Sequence, residues 1–349
     1  GAATPRLVGP ASSRRRLSME SSSATPDAPA ASAASGYRAA ERRFRRASTS
    51  DLHGVVDLCA TQLASNIRRV PVSPTAPAWL VSAQIFAVDG VDGFRVVRCP
   101  FSAAAQLEWA RAALGEWAEP EWSVTNLDLH HGPQRGLWAA HRRGERGSLL
   151  PKLSWATLGY HYGWSERAYD PARRSAFPPP LARLAADLAA AACGAELRAE
   201  AAIVNFYGAS AAMGGHRDDA EAYQDAPIVS ISLGLDAVYL IGGETKEVAP
   251  TAIRLRSGDV VVQGGRSRGY YHGVPRVLAG TAPPSLRRAA AGDAELLAVC
   301  EWLEGHRINL NVRQCFEEEQ EEATEATAET EPGGGAAPAE CEPPSRVDS

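Results

Sequence analysis

The apolar positions change period once along the chain, near residue 194. Over "SAAAQLEWARAALGEW", Leu107, Ala110, Leu114 and Trp117 recur at helical spacing behind Ser102, a capping residue. Over "PPLARLAADLAAAACG" a second helix is predicted, with prolines at its start and Gly194 as its stop. Beyond it the runs shorten and alternate. "AEAAIVNFY", "PIVSISLG", "AVYLIGG", "TAIRLRSGD", "VVVQGG" and "RINLNVRQ" are each cut off by Gly, Pro or Asp. Many short strands of this kind predict a sandwich or closed β structure. The fold class expected is therefore mainly β with flanking helices (α+β). No GxGxxG follows a strand and no GxxxxGKS occurs, which excludes dinucleotide-binding and P-loop folds.

The ends of the chain differ from this middle. Residues 1–36 are rich in Ala, Ser, Pro and Arg and nearly lack bulky apolar side chains. Burial cannot offset their ordering entropy, so disorder is expected. Arg14, Arg15 and Arg16 among serines resemble part of an organelle transit segment. Gly1 is not a start methionine, and the N-terminus is expected to be incomplete or processed. Residues 317–349 carry eleven acids and one Arg, a net of −10, so the overall −5 leaves residues 1–316 at +5. A disordered acidic tail and a mildly basic body are expected, the latter compatible with an anionic partner. "VPVSPTAP", Val70 to Pro77, reads as a linker.

Six scattered cysteines with no CxxC spacing argue against a zinc ribbon or a disulfide framework. They fit a reducing interior: cytoplasm or nucleus, or a mitochondrion or plastid if the N-terminus acts as a transit segment. No apolar run approaches the roughly 20 residues that span a bilayer, and no membrane partner is expected.

"GGHRDDAE" places His216 two positions before Asp218. On a strand such a pair faces one way. Composition alone supplies about one His-x-acid pair by chance, so the fragment permits either a metal site or a surface loop. "GRSRGYYHGVPRV" offers a second histidine, His272, just past the strand "DVVVQGG". Two His and one carboxylate without cysteine suit a non-haem Fe(II) centre, whereas structural zinc takes a fourth ligand. In "RINLNVRQ", Arg307, Asn309, Asn311 and Arg313 share one face and Ile308, Leu310 and Val312 the other. That polar face lies either in water or inside the fold. If inside, the arginines form a fork for a small dicarboxylate, since a buried guanidinium requires an anion.

Taken in order, "WATLGYHYGW", "AAACG…RAEAAIVNFY", "GGHRDDAE", "PIVSISLG", "APTAIRLRSGDVVVQGG", "HGVPRV" and "RINLNVRQ" carry a family likeness. Over nearly all of residues 37–316 the chain resembles the AlkB family of Fe(II)/2-oxoglutarate dioxygenases, and within it the AlkB homolog 1 branch. The resemblance implies a double-stranded β-helix (jelly roll). It implies that His216, Asp218 and His272 bind iron and carry catalysis. It implies that Asn205 and Tyr207 contact 2-oxoglutarate, that Arg307 holds its distal carboxylate and Arg313 the end near the metal, and that Asn309 supports both. Fe(II) is the implied cofactor, with 2-oxoglutarate and O2 as co-substrates. The implied reaction is oxidative N-demethylation of bases in nucleic acid, releasing formaldehyde, succinate and CO2. tRNA or other RNA, or single-stranded DNA, is expected as the partner of a monomer.

A base under attack must leave its stack and rest on aromatic rings. Trp155, Tyr160, His161, Tyr162 and Trp164 stand where the family forms its substrate lid, although sheet core accounts for such residues equally well. Lys246, Arg266, Arg268, Arg173, Arg174 and the cluster Arg42, Arg43, Arg45 and Arg46 are candidates for phosphate contacts. Ala220 departs from those relatives with an aspartate near the base. The 34 residues between His272 and Arg307 exceed the spacing of the bacterial founder, and 277–305 is expected to hold a loop plus a short helix. Two other readings stay open: a protein side-chain (histone-type) dioxygenase on the same core, and a catalytically silent nucleic-acid binder. The expected organisation is 1–36 disordered, 37–120 a helical extension packed on the core, 121–316 the dioxygenase domain, and 317–349 the tail.

Overall fold

A computed structural model describes residues 35–46 and 51–317. The expectations of disorder for the N-terminal segment and the acidic tail fall outside these, apart from residues 35, 36 and 317.

The chain opens with α1 (Gly36–Arg46), then β1 (Val55–Val56), β2 (Ile67–Val70), β3 (Gln84–Val88), β4 (Phe94–Arg98) and α2 (Ala103–Gly115). β5 (Ser123–Thr125), α3 (Asp128–His131), α4 (Leu137–Arg142), β6 (Trp155–Gly163), β7 (Ala168–Arg174) and α5 (Pro179–Cys193) follow. β8 (Ala201–Gly208), β9 (Met213–His216), β10 (Ile228–Gly234), β11 (Asp236–Ile241), β12 (Thr251–Leu255), β13 (Val260–Gln263) and β14 (His272–Leu278) come next. α6 (Pro284–Ala289), α7 (Ala294–Leu303) and β15 (His306–Arg313) close the described fold.

The eight strands β8–β15 are shared between two sheets. β13, β10, β15 and β8 are neighbours in the larger sheet, and β12, β11, β14 and β9 in the smaller. This is the expected double-stranded β-helix. Its core is double. Ile308, Leu310 and Val312 of β15, with Val229, Ile231 and Leu233 of β10, face helices α2, α5, α6 and α7. The opposite faces of the same strands look into the space between the sheets, where Tyr207, Tyr239, Val261 and Tyr270 pack. The alternation in "RINLNVRQ" is thus apolar toward helices and polar toward the barrel interior. The polar face does not lie in water: Arg307 is 2% and Arg313 3% exposed.

Both predicted helices form. Ser102 Oγ accepts from Ala105 N at 3.1 Å to cap α2, and Gly194 at φ +69° stops α5.

Three expectations change. The 37–120 extension is not mainly helical: β2, β3 and β4 continue the larger sheet beyond β13, and β1 pairs in parallel with β12. Residues on both sides of 120 belong to one compact unit. The 70–77 segment is not a free linker, because Ser73 N donates to Ala191 O and Thr75 Oγ1 to Ala190 O, fastening it to α5. Segment 277–305 holds two helices, not one. α6 and α7 press Leu286, Leu296, Val299 and Leu303 into the core that α2 shares. No helix of the described residues is long and apolar enough to cross a membrane.

Candidate active site

β14 and β9 pair so that His272 and His216 are direct Cα partners. Asp218 lies two residues past the end of β9, in the loop that follows. Strand alternation therefore does not aim it, contrary to the sequence argument. Side-chain bonds do. Asp218 Oδ2 accepts from Asn311 Nδ2 and Arg313 Nη2, both at 3.3 Å, and Arg268 Nη1 donates to the Asp218 carbonyl. Asp218 Oδ1 is left 3.6 Å from His216 Nε2, while His272 Nε2 stands 3.8 Å from Oδ2. One ligand atom from each of His216, Asp218 and His272 lies within 4.8 Å of the others, the only such group among the described residues.

Both imidazoles are oriented from behind. His216 Nδ1 lies 2.9 Å from Gly214 O and His272 Nδ1 3.1 Å from Tyr270 O. A carbonyl only accepts, so Nδ1 carries the proton and Nε2 turns its lone pair toward the centre. Burial and the neighbouring His216 lower the His272 pKa to about 4, so the ring is neutral at pH 7. Burial would raise the Asp218 carboxyl, but the Arg313 guanidinium, with Arg268 behind it, outweighs this and holds it well below the usual carboxylate range. Two neutral nitrogens and one carboxylate form the donor set of a non-haem iron site with coordination positions left open.

Arg307 supplies the second half of the fit. It is fully buried, and burial pulls its pKa down. Nη2 donates to Ser232 Oγ at 3.0 Å, while Nε and Nη1 have no hydrogen-bond partner among the described residues. The guanidinium lies over the Tyr207 ring at 5.2 Å. A buried cation with two unused donors calls for an anion. The chamber it faces is lined also by Asn205, Tyr239, Asn309 and both histidines, so Arg307 and the two imidazoles border one space. Asn309 Nδ2 is tied to Ser230 Oγ and Ile231 O at 2.8 and 3.2 Å, which fixes a wall of the chamber.

Arg313 is already neutralised. Besides Asp218 it pairs with Glu221 Oε1 at 2.7 Å, and Glu221 Oε2 pairs with Arg268 at 2.6 Å. Burial would raise the Glu221 carboxyl, yet the two arginines lower it. Glu221 and Asn311 were given no role from the sequence. An acid three residues past Asp218 was the available signal for the first, and the shared face of β15 for the second. Arg268 is no phosphate contact, because this buried pair consumes it.

The triad opens into a cleft of about 920 Å³. Tyr162 and Trp164 line it and meet edge to face at 4.8 Å. Ala220 lines it as well. Five arginines (Arg45, Arg167, Arg217, Arg276, Arg313) face three carboxylates (Glu41, Asp218, Asp219), a positive balance. Other expected substrate residues lie elsewhere. Tyr160 is 4% exposed, packed under Phe316 at 4.9 Å and off the cleft. Lys246 stands over the Tyr271 ring at 5.0 Å and does not line the cleft. Trp155 packs on Trp164 at 5.0 Å and supports it without lining the cleft itself. His161 is a core residue bonded to Thr157 Oγ1 at 2.9 Å.

The model of the 2OG-Fe(II) oxygenase superfamily matches residues 93–313. The protein named DNA N(6)-methyladenine demethylase ALKBH1A, from Arabidopsis thaliana, is 34% identical over 275 residues, which are 67% of this chain and 79% of that one. Nucleic acid dioxygenase ALKBH1 of Homo sapiens is 34% identical over 271 residues, 68% of each chain. tRNA demethylase abh1 of Schizosaccharomyces pombe is 28% identical over 302 residues, 80% of this chain and 95% of that one. Family match, jelly roll and His–Asp–His cluster agree: the chain belongs to the 2OG-Fe(II) oxygenase superfamily, in its AlkB homolog 1 branch, and is a dioxygenase that works with Fe(II), 2-oxoglutarate and O2.

Proposed function

We propose that this dioxygenase demethylates N-methylated bases in nucleic acid, in tRNA or other RNA or in single-stranded DNA. The observation that carries the reading is the arrangement around the triad. Arg307 turns two unpaired nitrogens into the chamber on one side, and a cleft lined by two half-buried aromatics and an arginine surplus opens on the other. The names of the relatives, which act on DNA or tRNA, support it.

His216, Asp218 and His272 would hold the iron, and Arg307 the far carboxylate of 2-oxoglutarate. When bound, these groups supply oxidation of an N-methyl carbon, with loss of succinate, CO2 and formaldehyde. The chain's own residues bind, orient and exclude water. Tyr162 and Trp164 offer ring faces to an unstacked base. Arg45, Arg167 and Arg217, exposed around the cleft, meet phosphates. An unpaired strand suits this cleft because a base in a duplex would first have to flip. Formaldehyde release over methylated tRNA, methylated DNA oligomers and methylated histone peptides tests the reading. Turnover on the peptides alone would replace it with the protein side-chain alternative.

A further inference from the structure

We propose that Tyr37 is a positioning residue for the metal centre: from α1 it sets the spacing of the two strands that carry His216 and His272. The proposal rests on the reading of those histidines as metal ligands.

Tyr37 sits in the first turn of a helix whose other residues are mostly exposed, yet its own side chain is 0% exposed. The ring lies directly on backbone. A Cβ added at Gly215 would fall 2.3 Å from Tyr37 Cε1, and one at Gly242 2.8 Å from Cδ2. At Gly273 it would stand 3.1 Å from the Tyr37 hydroxyl. Gly215 immediately precedes His216, and Gly273 immediately follows His272. One aromatic ring thus spans both ligand strands at the residues next to the ligands. It also packs on Tyr271, the residue before His272, at 6.2 Å.

The strands need such support. β9 has four residues and lies at the edge of the smaller sheet. Its pairing with β14 has two registered positions with an irregularity between them. Hydrogen bonds alone hold an edge strand of this kind loosely, whereas a metal site needs its ligands within about 0.5 Å of the productive geometry. α1 is itself anchored. Tyr37 N donates to Lys246 O at 3.0 Å, and Arg276 Nη1, from β14, donates to Arg45 O at 3.2 Å. The Tyr37 hydroxyl has no hydrogen-bond partner among the described residues, so the ring and not the oxygen does the positioning.

The test is Co(II) binding to the full, metal-free chain, followed by the visible absorption of the bound ion, alongside thermal melting. Tyr37→Phe should bind Co(II) within about twofold of the parent. Tyr37→Leu should weaken binding about 10- to 100-fold, the range for groups that orient ligands. Gly215→Ala should weaken it in the parent but much less in a Tyr37→Ala background, because the ring it collides with is gone. A folded Tyr37→Leu with parental Co(II) affinity overturns the proposal, and so do additive effects in the Tyr37–Gly215 cycle. His216→Ala separates the two ideas: if it binds Co(II) as the parent does, the metal-ligand reading itself has failed.

Discussion

Arg313 Nη2 lies 3.3 Å from Asp218 Oδ2, inside the barrel, and leaves Oδ1 facing His216, 3.6 Å from its Nε2. Arg313 keeps a second partner in Glu221. Asp218 can therefore be lost without stranding the arginine. Asp218→Ala, His216→Ala and His272→Ala should each abolish iron-dependent decarboxylation of 2-oxoglutarate, with or without nucleic acid, and stay folded. Succinate production and circular dichroism check this. Near-parental succinate from any folded variant would remove that residue from the ligand set.

Arg307→Ala should raise the apparent Kd for 2-oxoglutarate by about 10- to 100-fold. Charge-assisted bonds to a carboxylate contribute about 1.5–3 kcal/mol. Arg307→Lys should recover only part of it, since an ammonium cannot present the planar fork. Affinity for a methylated oligomer should change far less, because Arg307 faces the chamber and does not line the cleft. An unchanged co-substrate titration would contradict the role of the two unpaired nitrogens.

What the sequence carried and what it withheld follow one physical division. Strict alternation in "RINLNVRQ" exposed the register of β15, and chain order with the neighbouring motifs singled out His216, Asp218 and His272, which the fold brings together. β6, β7, β9 and β14 were less visible. Gly159 at φ +68° interrupts β6, Pro275 interrupts β14, and β9 is half glycine. Asp218 and His216 do come together, but not by strand alternation: Arg313, Asn311 and Arg268 hold Asp218 in its loop. Those partners lie 50 to 95 positions away in sequence, where no local pattern reports them. Aromatic composition likewise could not separate Tyr162, on the cleft, from Tyr160, under Phe316, because both lie in one irregular strand.

Glu221→Gln should be among the most destabilising single changes in the chain. Its carboxylate has no exposed surface and balances both Arg268 and Arg313. Removing one partner of a buried ionic group costs about 3–5 kcal/mol. Urea unfolding should show that loss together with weakened metal binding, since Arg313 then turns on Asp218 alone. A midpoint within error of the parent would show that water solvates this group.

His161 predicts an acid limb of stability. Burial, with Arg173 nearby, lowers its pKa to about 4. The unfolded chain binds the proton near pH 6.5. Between those values the unfolded state holds more protons, so stability is full above about pH 6.5 and falls as pH drops toward 4. The loss is at most about 3 kcal/mol. His161→Gln should flatten this limb relative to the parent in melts between pH 7 and pH 4.5. Parallel profiles for the two proteins would show that other groups set the limb.

The acidic C-terminal segment should restrain substrate binding. Residues 317–349 carry −10 against +5 for the rest of the chain. Their departure point is fixed, because Phe316 packs on Tyr160 and Arg198 Nη2 donates to its carbonyl at 3.3 Å. A polyanion tethered to a basic surface competes with phosphates, and the competition is screened over about 8–10 Å at physiological salt. Truncation after Phe316 should tighten binding of an RNA or DNA strand at low salt and gain less at high salt. Turnover of a free methylated nucleoside should not change, since that substrate has no phosphates for the tail to displace. Binding titrations of full-length and truncated protein at two salt concentrations decide it, and equal affinities at both would rule out an electrostatic role.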